Sequence, residues 1–220
     1  MKKAIAVIAV LVIVACAGSL YLSLYGLALR EDTRAHRALG QIVGEEAVKL
    51  GGAGARIILI TRDTSFYKNP AFDAMMASFQ AALTAAGSKV GLTHTLKIDP
   101  LRATQVPPGD FLQILKKATD KDVLVSFLGP PLLTDEQLAG LGGKLPKLVA
   151  VCTGNMPRQF NLRRTFDQGL LHLAILSKPS ADNQLPGGGG AEACFDHLFL
   201  RVTSANLAEL PAPAPVPARP

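Results

Sequence analysis

Two kinds of hydrophobic pattern divide this chain. Residues 4–29 contain no charged side chain, whereas from residue 55 onward short aliphatic runs alternate with amphipathic stretches. A helix rises about 1.5 Å per residue, so the first segment is long enough to cross a hydrocarbon core about 30 Å thick. The pattern predicts a transmembrane signal anchor over residues 1–30, ahead of a domain that mixes helices and strands.

The N-terminal segment fits three kinds of targeting signal. An uncleaved signal anchor best explains its length, because the apolar cores of cleaved signals run to about 7–15 residues. Residues 13–16 (IVAC) resemble a bacterial lipobox, in which Cys16 becomes lipidated, and a cleavage site near residues 26–28 is the third possibility. A signal anchor with such a short tail normally keeps its N-terminus in the cytoplasm. We therefore expect a single-pass protein of a bacterial-type inner membrane, with an extracytoplasmic C-terminal domain.

Residues 31–52 have apolar side chains at helical spacing and contain no proline. The segment predicts a helical stalk that ends at Gly51 and Gly52, since glycine is common just after the last turn of a helix. Two interpretations stay open. The apolar stripe packs on the domain that follows, or it forms a short self-association helix.

Residues 53–206 have the alternation that is typical of an α/β domain. Strands are predicted at 56–62, 90–98, 122–128, 147–153 and 169–177, and 197–203 is either a sixth strand or part of a helix. Amphipathic stretches predict helices at 71–86, 109–118 and 134–141. The fold class is therefore α/β, with a mainly parallel, doubly wound sheet of about five strands in the order 2-1-3-4-5.

Composition narrows the functional classes. The chain is 49% hydrophobic and has only three cysteines, which excludes a disordered protein and a disulfide scaffold. Its net charge is +6, but aromatic residues make up 5% and no recognition motif is present, so a nucleic-acid partner is not expected. Residues 207–220 are rich in proline and predict a disordered tail.

Ligands of open α/β sheets bind beyond the carboxyl ends of the strands. On this rule the candidate ligand contacts are Asp63 and Ser65 after the first strand, Asn155 after the fourth and Lys178 after the fifth. The alternative is that these residues cap helices and form turns.

No catalytic residues, metal site or cofactor are predicted. A Cys152–His172 nucleophile and base is conceivable if the fourth and fifth strands are neighbours. Cys194 and His197 would share a helical face, but two ligands do not make a metal site.

A second candidate surface is basic. Five cations fall between residues 137 and 166 without an acidic residue among them: Lys144, Lys147, Arg158, Arg163 and Arg164. They predict contact with an acidic partner or with anionic lipid headgroups.

One part of the domain resembles a known family. Residues 69–87 (NPAFDAMMASFQAALTAAG) follow a strand and resemble the first βα unit of type I periplasmic-binding-protein-like domains, and residues 122–129 (DVLVSFLG) are similar to the next strand of such a lobe. Members of that family clamp a ligand between two lobes. The resemblance implies a single lobe here, so a second chain would have to complete the cleft.

These observations predict a membrane-anchored, non-catalytic accessory or scaffold subunit of an envelope membrane protein complex. The expected partners are other membrane protein subunits and the lipid bilayer. The alternative is a membrane-tethered receptor domain for a small solute, which works as a homodimer of lobes.

Overall fold

The computed structural model describes residues 2–21, 32–52, 54–97, 106–142, 145–154, 161–178 and 185–207. The chain forms two compact units, Met1–Asp32 and Thr33–Pro220. In the first unit, helix α1 comprises Lys2–Tyr21. Among the described residues, no helix combines the length and the hydropathy that a membrane span requires. The transmembrane prediction therefore depends on the sequence pattern alone, and residues 22–31 lie outside the described part.

The second unit is built on a six-stranded sheet. Its strands are β1 (Arg56–Arg62), β2 (Lys89–Leu96), β3 (Val123–Ser126), β4 (Lys147–Cys152), β5 (Leu173–Ser177) and β6 (Phe199–Val202). They are arranged in the order β2-β1-β3-β4-β5-β6, with β6 antiparallel to β5 and the other neighbouring pairs parallel. The predicted order of the first five strands is confirmed, and the residues after 198 form a sixth strand.

Helices cover both faces of the sheet. They are α2 (Arg34–Gly51), α3 (Pro70–Ala85), α4 (Pro108–Lys117), α5 (Asp135–Ala139), α6 (Leu162–Asp167) and α7 (Gly190–Leu198). The side chains of each strand alternate between two cores, as the pleat requires. In β1, Ile57 and Leu59 pack with α2, α3 and α7, whereas Ile58 and Ile60 pack with α4 and α6.

Helix α2 belongs to the domain, and glycine explains how closely it packs. A Cβ atom at Gly40 would lie 2.0 Å from the carbonyl oxygen of Met75, and one at Gly44 would lie 2.9 Å from the Cβ of Ala82. The two helices therefore touch almost backbone to backbone. Gly40 meets Met75, and Gly44, one turn later, meets Ala82, so α2 and α3 run in the same direction. Of the two interpretations of residues 31–52, the structure has the stripe packed on the domain.

The two edges of the sheet differ in character. We call the edge where the parallel strands end the carboxyl edge, and the edge where they begin the amino edge. At the amino edge the guanidinium of Arg56 donates two hydrogen bonds of 2.8 Å to the carboxylate of Asp122, which is 4% exposed. These bonds hold the pKa of Asp122 below its ordinary value. The N–H and the hydroxyl of Thr119 also donate to this carboxylate and lower its pKa further. The ion pair joins the starts of β1 and β3.

Candidate functional site

The loop after β1 places two of the predicted ligand contacts together at the carboxyl edge. The backbone N–H of Asp63 donates to the carbonyl of Leu96 at 2.8 Å, which fixes the start of the loop against β2. The N–H of Ser65 donates to a carboxylate oxygen of Asp63 at 2.9 Å. Hydrogen bonds from Ser65, together with the positive charge of Lys97, hold the pKa of Asp63 below its ordinary value. Asp63 is therefore an ionised acceptor at neutral pH.

The same loop carries two exposed aromatic rings, which the sequence analysis did not single out. Phe66 is 79% exposed and Tyr67 is 48% exposed. The ammonium of Lys97, which follows β2, lies 5.7 Å from the centre of the Phe66 ring. Apolar patches rimmed by polar residues mark binding sites more often than isolated apolar side chains do, and these two rings are adjacent in a polar loop. The signal that could have revealed them is an adjacent Phe-Tyr pair in a loop that is otherwise polar.

The turn after β3 forms a fixed neighbour of this loop. The hydroxyl of Ser126 is fully buried, donates to the carbonyl of Gly129 at 2.7 Å, and accepts a bond from the N–H of Leu128 at 3.3 Å. Gly129 has a φ of +81°, a conformation that favours glycine. The hydroxyl of Ser126 thus stabilises a tight turn, and it is not available to a ligand.

Lys178 is bound within the domain. Its ammonium donates to the carbonyl of Asp196 near the end of α7, and its N–H donates to the carbonyl of Leu198 at 2.8 Å. A cation at the C-terminus of a helix is favoured by the helix dipole. The structure therefore gives Lys178 a role in holding α7. The other predicted contact, Asn155, lies outside the described residues.

Three of the five residues of the predicted basic surface lie in the described part of the chain, and each of them has a different partner. Lys147 starts β4 at the amino edge, and its ammonium donates to the carbonyl of Leu50 at 2.6 Å. Arg164 pairs with Asp135 at 2.7 Å, and Arg163 donates to the carbonyl of Leu207 at 3.3 Å. These contacts tie the three side chains to different parts of the domain. Lys144 and Arg158 lie outside the described residues.

The fourth and fifth strands are neighbours, but Cys152 and His172 do not meet. His172 precedes β5 at the amino edge, where its N–H donates to the carbonyl of Leu148, while Cys152 ends β4 opposite Leu176. The two residues are four strand positions apart, or about 13 Å along the sheet. Burial also raises the pKa of the Cys152 thiol to about 12. Among the described residues, no group of three or more His, Cys, Asp or Glu side chains is placed to hold a metal ion.

Comparison with solved structures identifies similar folds. The domain is similar to an arabinose-binding protein from Geobacillus stearothermophilus, with a TM-score of 0.50 and 13% identity over 80% of this chain and 63% of that one. A myo-inositol-binding protein from Caulobacter has a TM-score of 0.47 and 15% identity, over 79% of this chain and 60% of that one. A carbohydrate transporter solute-binding protein from Agrobacterium radiobacter has a TM-score of 0.45 and 11% identity, over 81% and 61%.

These likenesses concern the fold. The fold resemblance to a lobe of periplasmic-binding-protein-like domains that residues 69–87 and 122–129 indicated is confirmed by the arabinose-binding protein. This chain spans about three fifths of the length of the structures it matches. No protein-family model matches the sequence, and neither does any curated protein.

Proposed function

We propose that this chain is a non-catalytic lobe that binds a small polar solute, with a sugar or polyol as the favoured class, at the carboxyl edge of its sheet. The observation that carries the proposal is the loop after β1, which presents the Asp63 carboxylate and the Phe66 ring at the edge where open α/β sheets bind ligands. The arabinose-binding protein, which has a similar fold, binds a solute of this class by its name.

The chemistry of the loop suits a hydroxylated solute. Ligand sites combine apolar surface with a few polar groups that fix the ligand's orientation. The Asp63 carboxylate accepts hydrogen bonds, the Lys97 ammonium donates them, and the exposed ring of Phe66 offers an apolar face. A sugar presents hydroxyl groups around its rim and C–H groups on its faces, so it can use all three.

An open edge buries little of a ligand, so the site needs a covering surface. Pockets for small molecules normally bury 70–90% or more of the ligand. A second copy of this chain is the partner we favour, because a two-fold axis would bring two identical carboxyl edges face to face. Anchoring of both copies in one membrane by the apolar segment 4–29 would raise their effective concentration. The N-terminus is cytoplasmic and the domain extracytoplasmic in this arrangement.

The accessory-subunit function is the second candidate. The observation in its favour is that Phe66 is 79% exposed, while Lys178, which was predicted as a ligand contact, is bound within the domain. A projecting aromatic ring is a common anchor of protein interfaces. In this case the carboxyl edge would contact another membrane protein subunit.

Thermal unfolding of the full-length chain in detergent, with a panel of pentoses, hexoses, polyols and amino acids, tests the proposal. A ligand at about 100 times its Kd adds about 2.7 kcal/mol, which corresponds to a rise in Tm of roughly 5–10 °C. We expect one sugar or polyol to give this rise, and the variants Phe66→Ala and Asp63→Asn to lose most of it. Leu92→Ala is the matched control, because Leu92 is 41% exposed but lies in β2.

Two results would contradict the proposal. One is a panel in which no sugar or polyol raises the Tm, and the other is an equal loss in the Leu92→Ala control. If no solute acts and a membrane protein co-purifies in a fixed ratio that Phe66→Ala abolishes, the accessory-subunit function replaces the receptor function.

A further inference from the structure

A depression lies at the amino edge of the sheet, at the opposite end of the strands from the proposed solute site. Its volume is about 400 Å³, and it is lined by Gly51, Gly54, Ala55, Asp120, Lys121 and Lys147. The walls come from the end of α2, the turn into β1, the turn into β3 and the first residue of β4. The depression is large enough for a small anion with part of its hydration shell.

The position of one lysine in the wall is fixed by the fold. The ammonium of Lys147 donates to the carbonyl of Leu50, at the C-terminal end of α2. That bond uses one of the three donors of the ammonium group, which leaves two for another acceptor. Lys121 is exposed and lies in the turn just ahead of β3.

The lining of the depression carries more basic than acidic side chains. The nearby Asp122 carboxylate is already neutralised by the two bonds from Arg56. The pKa of His172 is lowered by burial and by Lys147, so this imidazole is neutral at pH 7. Among the described residues of the lining there are thus two lysines and one acidic residue, Asp120.

From this arrangement we infer that the amino-edge depression is a binding site for a small oxyanion, a phosphate or a carboxylate, held between Lys121 and Lys147. Charge-assisted hydrogen bonds to two ammonium groups supply the attraction. Gly54 lacks a side chain and has no atom within 4 Å of where its Cβ would be, so the backbone beside the two lysines is open to an approaching anion. This site is separate from the proposed solute site and does not depend on it.

Amide chemical shifts of the full-length chain in micelles, titrated with inorganic phosphate and separately with acetate, test the inference. We expect saturable shifts at Gly54, Ala55 and Lys121 with one of the anions. Lys121→Gln and Lys147→Gln should each weaken binding roughly tenfold. Lys116→Gln is the matched control, because it removes the same charge from an exposed residue in the last turn of α4 that does not line the depression.

The outcomes separate specific binding from general attraction to a basic surface. The inference is overturned if neither anion gives a saturable shift, or if Lys116→Gln weakens binding as much as the two lining variants. Lys121→Gln keeps the test valid if loss of the Lys147 bond to Leu50 unfolds the protein. The chain in nanodiscs with and without phosphatidylglycerol identifies the source of a phosphate: the same amides shift without added phosphate if the ligand is a lipid headgroup.

Discussion

The contact between α2 and α3 can be tested by adding one methyl group. In the variant Gly40→Ala the new Cβ would lie 2.0 Å from the carbonyl oxygen of Met75 and 2.8 Å from its carbonyl carbon. An ordinary contact needs about 3.4 Å, so the helices must separate by about 1.4 Å. The obstacle is backbone inside a helix, which cannot rotate away as the end of a side chain can.

The expected cost follows from two opposing effects. Forced overpacking of a tight interface costs about 1–3 kcal/mol, and a backbone obstacle puts this case at the upper end. Alanine in place of glycine stabilises a helix interior by about 0.5–1 kcal/mol. The net loss is about 2 kcal/mol. For a domain of this size that lowers the Tm by roughly 4–8 °C.

The assay is the cooperative thermal transition of the full-length chain, followed by circular dichroism. Gly44→Ala should cost less, because its closest contacts are 2.9 Å and 3.0 Å. Gly109→Ala in α4 is the control, since no atom lies within 4 Å of the new Cβ, and it should leave the Tm unchanged or raise it slightly. If Gly40→Ala melts at the wild-type temperature, the close packing of α2 on the domain is refuted.

Three further predictions concern single residues. Asp122→Asn should cost about 2 kcal/mol at pH 7 in urea unfolding, a moderate figure because the Arg56 side chain is 49% exposed. Since the pKa of Asp122 is lowered in the folded state, this difference is full above the ordinary value of about 3.9 and should shrink as the pH falls below it; a constant difference would contradict the ion pair. The Cys152 thiol, with a pKa of about 12, should resist iodoacetamide at pH 8 until the protein unfolds, as read by mass spectrometry, and rapid native labelling would be the contrary result. Lys178→Gln should lower the free energy of unfolding by about 1 kcal/mol through loss of its bond to the Asp196 carbonyl and leave solute affinity unchanged, whereas a loss of affinity would return Lys178 to the binding site.

The sequence predicted the sheet well because its central strands are buried on both sides. The residues of β3 are all buried, and β2, with five exposed residues, lies at the end of the sheet, as the predicted strand order requires. The docking of α2 was harder to foresee. The spacing of Gly40 and Gly44 permits a close approach, but only the structure shows that the partner is the backbone of α3.

The candidate site was predictable in place but not in detail. The carboxyl-end rule placed Asp63 and Ser65 together, because a strand end fixes the first residues of the loop after it. The same rule did not predict where the long side chain of Lys178 points. It reaches the end of α7. The rule also could not predict how exposed Phe66 is, because the burial of an aromatic ring in a loop depends on distant parts of the chain.

We propose above all that a small polar solute binds at the carboxyl edge. The most direct test is to map the amide chemical shifts of the full-length chain on addition of the solute that most raises its Tm. We expect shifts concentrated in residues 61–67 and at Lys97, and their loss in Phe66→Ala. Saturable shifts confined to the amino edge, or no shift with any sugar or polyol, would contradict it.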